Sequence, residues 1–118
     1  MSNQAKNGLV LTVTATAVLP KHRCITQAGD LCAADANYFG VTNASAEIGD
    51  VVGAVIDGTA LVESGAAIAI DDTLKIAGTT TNAGRLIPWA TSGVKVAKAL
   101  SAASGAGELV EVLLYRSL

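Results

Sequence analysis

Turn signals recur about every 8–12 residues along this chain, too closely for helices of ordinary length to fit between them. Gly29–Asp30, Gly49–Asp50, Asp57–Gly58 and Gly107–Glu108 punctuate short apolar runs, and Pro20 and Pro88 interrupt two more. Within the runs, apolar and polar residues alternate with the period of a strand. Residues 9–18 show it best: Leu11, Val13, Ala15 and Ala17 fall on one face, Thr12, Thr14 and Thr16 on the other. The last quarter closes a sheet. Residues 93–100 alternate Val94 and Val96 against Lys95, a Ser-Gly-Ala-Gly loop follows, and residues 109–114 are nearly all apolar, as a strand covered on both faces would be.

Between these ends, strands are predicted at 22–26, 38–42, 51–56, 59–62, 73–76 and 85–89, with Pro88 marking an edge. Asp57–Gly58 between two β-prone runs predicts a type I′ hairpin, whose central residues need positive φ. Residues 64–70 fit a helical turn or a strand equally well. The expected fold is all-β: a small β-sandwich or partly closed barrel of about eight to ten short strands, with at most one short helix. An extended arm over residues 1–8 precedes a single β domain over 9–118.

A chain of 118 residues is long enough to bury roughly two-thirds of its unfolded surface. Its hydrophobic residues amount to 51%, but only one Trp, two Tyr and one Phe are among them, so the core is built from Val, Ile, Leu and Ala. Side chains this small bury little area each, which predicts extra burial through self-association. The net charge is −2 and the eight Lys and Arg are scattered, which excludes a nucleic-acid footprint. Acidic residues interrupt every apolar stretch before membrane-spanning length, and residues 1–8 lack the basic and apolar regions of a secretory signal, so the sequence predicts a soluble chain with no membrane partner. Two cysteines are too few for a disulfide scaffold and suit structural thiols made in a reducing cytoplasm.

The chemistry-bearing residues are sparse. His22 and Cys24 would share a face if both lay on a strand, but catalysis needs an electropositive pocket and a third orienting group; adding Cys32 does not make the paired spacing of a zinc site. Asp71 and Asp72 are adjacent and read as turn residues. The G-x-G at 105–107 lies between strands and opens no helix, so it reads as a hairpin loop. Trp89, after Pro88, is a candidate for a subunit interface, where aromatics are enriched. No catalytic, cofactor-binding or metal-ligating residue is assigned, no cofactor is expected, and an enzyme is disfavoured.

The order of these elements carries a resemblance. An apolar-Thr strand after Gly8, then Gly29–Asp30–Leu31, Gly40–Val41–Thr42, Ile48–Gly49–Asp50–Val51, Asp57–Gly58, Asp72–Thr73–Leu74, Gly93–Val94 and the closing Ser104-Gly-Ala-Gly-Glu-Leu-Val-Glu-Val-Leu-Leu114 resembles the tailed-phage capsid cement (head decoration) proteins of the small β-rich kind. Departures are the His22–Arg23–Cys24 stretch and the polar loop at 79–82. The resemblance implies a non-enzymatic virion protein, made in the bacterial host cytoplasm, that binds the outer surface of the mature capsid as a homotrimer and stabilises the lattice of the major capsid (coat) protein. The capsid-contact candidates are Ser2, Asn3, Gln4, Ala5, Lys6, Asn7, Gly8, Leu9, Val10 and Leu11, because an extended arm can add to a sheet edge. Two rivals are a tail or fibre subunit and a biotinyl-type carrier module; the second needs a lysine at its hairpin tip, where this chain has Asp57–Gly58.

Overall fold

A computed structural model describes residues 7–32, 38–77, 83–89 and 95–114, with the backbone alone for Asn7 and Gly8. Its eight strands are β1 (Asn7–Thr14), β2 (Cys24–Ile25), β3 (Gly40–Thr42), β4 (Val51–Glu63), β5 (Thr73–Ile76), β6 (Leu86–Pro88), β7 (Ala97–Ala99) and β8 (Leu109–Leu114), and no helix occurs among the described residues. They form one sheet in the order β2-β3-β4-β8-β7-β5-β6, with β1 also paired to β4. A parallel bridge from Leu86 of β6 to Ser64, the residue after β4, curls the β4-to-β6 part into a nearly closed barrel. The fold is all-β, as the turn spacing predicts.

β4 organises the molecule. Its first half lies between β1 (Val13 opposite Val52) and β3 (Val41 opposite Val55); its second half pairs with β8 (Val62 opposite Val110). The expected hairpin at Asp57–Gly58 does not form, because both residues lie inside this one 13-residue strand. Gly58 does take the positive φ that its sequence signals, +89°, but as a bulge: the β1–β4 register slips beside Asp57 and Gly58, and the Asp57 carboxylate accepts the Gly58 N–H at 2.9 Å. The slip changes which face points where. Val52, Ala54 and Ile56 enter one core with Val13, Ala15, Leu19 and Ile25. Beyond the bulge, Ala60 and Val62 enter the barrel core with Val41, Leu74, Leu86, Val110 and Val112. An unbroken alternation would send residues 54 through 62 of that parity to a single core; the irregularity sends them to two, and Val55, on the opposite face from Ala54 and Ile56, already joins the barrel core.

β1 ends at Thr14, short of the predicted 18, because Ala15 and Thr16 turn to bond Asp50 and Gly29. β8 is buried on one face only; Leu109 and Leu113 are each 40% exposed, so its apolar run does not mean two covered faces. β7 and β8 do pair, antiparallel, and Gly107 supplies a positive φ in the loop between them, while the predicted Gly93–Val94 start lies outside the described residues. β6 is the last strand of the sheet order, the edge that Pro88 predicts. Residues 64–70 are irregular, pinned by an antiparallel bridge from Ile68 to Ala103.

Candidate capsid-contact surface

The capsid-contact candidates divide by position. Ser2, Asn3, Gln4, Ala5 and Lys6 lie outside the described residues, while Asn7 and Gly8 are backbone members of β1, Asn7 opposite Gly58. Leu9, Val10 and Leu11 are exposed by 47%, 41% and 42%. Three consecutive residues of a strand point to both of its faces, so β1 reaches past its core here and shows apolar surface on either side. Only from Val13 onward does the inward row become buried. Beside the other end of β1, Val51 is 67% exposed opposite Thr14, Val18 lines a shallow groove with Pro20, Ala46 and Glu47, and Ile48 is 69% exposed. The exposure of Val18, Ile48 and Val51 carried no signal in the sequence, since an apolar residue in a turn or at the end of a strand reads the same whether it faces core or water.

Trp89 follows β6, half-buried, with its backbone N–H donating to the Thr73 carbonyl at 2.8 Å and the Lys95 ammonium 4.3 Å from its ring centroid.

The residues weighed for chemistry are dispersed. His22 sits in a turn at φ +66° and not on a strand, so it shares no face with Cys24, which points into the barrel core. Burial, and then the Cys32 thiol, push the Cys24 thiol well above its usual range; burial pushes Cys32 up to about 12. Both are therefore protonated and poor nucleophiles at neutral pH. Burial, then Lys21, lower the His22 imidazole, which keeps it neutral. It borders an apolar recess of about 60 Å³ with Val41, Val55 and Ala60, far below the size of an ordinary ligand site. Asp71 and Asp72 are turn residues, as read: Asp71 has φ +74° and pairs with Lys98 at 3.6 Å, and the Asp72 carboxylate accepts the Ala69 N–H. Among the described residues no three His, Cys, Asp or Glu side chains converge.

One charged constellation was invisible in the sequence. Glu63, at the end of β4, takes Arg23 at 2.8 Å and Arg85 at 3.0 Å on the same carboxylate oxygen, while Arg23 also donates to the Ala83 carbonyl at 2.9 Å. The three residues are 40 and 22 positions apart in sequence and meet only because the barrel closes. They tie β2, β4 and the start of β6 together.

The phage cement protein family model matches residues 3–114. The chain belongs to the phage cement protein family. It is a structural protein of the phage virion, in agreement with the resemblance carried by its turn order. Among solved structures, the crystal structure of the head fiber N base in bacteriophage phi29 superposes with a TM-score of 0.72 at 21% identity, covering 92% of this chain and 95% of that one. At that identity the likeness concerns the fold. No curated protein matches the chain.

Proposed function

We propose that this cement protein decorates the outer surface of the mature phage head as a homotrimer and stabilises the coat-protein lattice, with residues 1–8 and the start of β1 on the coat and Trp89 between subunits. The uncharged apolar run Leu9–Val10–Leu11, exposed on both faces of a strand, carries this reading. A monomeric protein has little reason to show three successive apolar side chains to water, and such surface is normally covered in an assembly. The family description supports the capsid as partner, and the fold shared with a head fiber base supports the head over the tail. A ligand that prefers the mature lattice stabilises that state by mass action. Three linked copies engage three coat sites together, so modest contacts multiply.

Incubating purified protein with expanded heads that lack it, then sedimenting the heads and imaging them, tests the proposal. Saturable decoration on the outside, at bound densities grouped in threes, is the expected result. Heads that stay bare, or protein found only on tails, would overturn it.

A further inference from the structure

β1 has one edge on β4 and one that no described strand covers. The hydrogen-bond pattern says which groups lie on the free edge. Ala15 N–H bonds the Asp50 carbonyl at 2.8 Å in the register that pairs Val10 with Val55 and Thr12 with Gly53, so positions 11, 13 and 15 face β4 and positions 10, 12 and 14 face away. The other side of the ladder agrees: the Gly53 carbonyl is taken by Asn43 N–H, toward β3 and not toward Thr12. Thr14 is already covered, since Gly29 packs so closely that a Cβ there would lie 2.1 Å from the Thr14 carbonyl oxygen. What remains is the pair Val10 and Thr12, flanked by the exposed side chains of Leu9 and Leu11.

Natural sheet edges are guarded by charge, by proline or by a covering segment. β1, Asn-Gly-Leu-Val-Leu-Thr-Val-Thr, has neither charge nor proline. The outer strands of the sheet order are covered: β2 by Leu31 and Cys32, and β6 by the bridge to Ser64. Two copies joined through the same β1 edge would be related by a two-fold axis, which a trimer cannot use, and the described residues offer no second open edge for a three-fold arrangement.

We propose that the free edge of β1 at Val10 and Thr12 receives an extended segment of the coat protein, which adds to the sheet through main-chain hydrogen bonds while Leu9, Val10 and Leu11 pack against its side chains. This rests on the outer-surface reading above and specifies how the contact is made. A main-chain contact of this kind asks for an uncharged, extended partner with apolar residues on both faces, and little else of its sequence.

Residue-resolved hydrogen–deuterium exchange on the free protein and on decorated heads tests it. In the free protein the Val10 and Thr12 amides exchange fast, and Leu11 and Val13, bonded to β4, exchange slowly. On heads, Val10 and Thr12 slow by tenfold or more. Decoration without that slowing overturns the strand-addition inference and leaves the outer-surface reading standing; absence of decoration overturns both. Protection already present in the free oligomer assigns the edge to a second copy and also overturns the inference. A variant arm uses Thr12→Pro, which removes an N–H that β4 does not use, beside Thr12→Val, which keeps it. Thr12→Pro at an unchanged melting temperature should bind heads at least tenfold more weakly than Thr12→Val; equal binding overturns the proposal.

Discussion

Glu63 shows how much a single carboxylate can hold when its neighbours come from distant parts of a chain. Burial alone pushes its carboxyl up, but the hydrogen bonds and charge of Arg23, and then of Arg85, outweigh burial and leave it below the usual value. A carboxyl lowered in the folded state adds stability that is present above the unfolded pKa, about 4.3 for Glu, and is lost as pH falls through the folded value. Glu63→Gln should therefore cost about 1–3 kcal/mol at pH 7, since it leaves two half-buried guanidinium groups facing each other with a neutral partner. Urea denaturation at pH 7 and at pH 3 checks this: the gap between wild type and variant should narrow on acidification, and a gap independent of pH would show that the clamp acts by shape and not by charge. None of it was legible beforehand. Arg23, Glu63 and Arg85 sit in ordinary polar positions, and nothing local to any of them points to the other two.

At the scale of the element, Asp57–Gly58 separates what a sequence specifies from what it leaves open. The pair asks for a positive φ, and Gly58 supplies it at +89°. A type I′ turn and a bulge make the same local demand, so the choice rests on whether residues 59–62 fold back on 51–56 or find another partner. Here β1, β3 and β8 provide the partners, and the chain runs straight on. The same reasoning explains β8, whose apolar run could be read as doubly buried until its outward row, Leu109 and Leu113, is seen to face solvent. By contrast β5 falls on residues 73–76 as its alternation predicts, because it needs only local pattern and a turn on either side. Gly58→Ala should lose about 1–2 kcal/mol from the left-handed backbone alone, and Gly58→Asn less. Thermal melts of the wild type and both variants check this; an alanine variant as stable as the wild type would show that the position does not need its left-handed backbone.

For the whole molecule, the question is why a small-residue domain with one exposed apolar strand should hold to a capsid at all. A single strand edge with two free positions gives a weak contact, and weak contacts become durable only when several are made by one body. The family and the all-β fold were legible, because the order and spacing of the turn residues fix where strands can start and stop whatever their partners. The surfaces were less so, since exposure depends on where strands end, and β1 reaches beyond its core by a few residues that read like any others in the run. If three chains are joined through Trp89, then loosening that joint should weaken capsid binding by much more than the joint's own energy. Trp89→Ala removes the ring that carries Lys95 while leaving β1 and its edge intact. Light scattering should then report a single-chain mass where the wild type gives three, with the β-sheet circular dichroism retained. Head decoration followed by dilution should weaken about 10²–10⁴-fold, the factor expected when three tethered sites become one. A single-chain variant that still binds heads as tightly as wild type would show that one strand edge suffices, and that the trimer serves the lattice by bridging coat subunits and not by raising affinity.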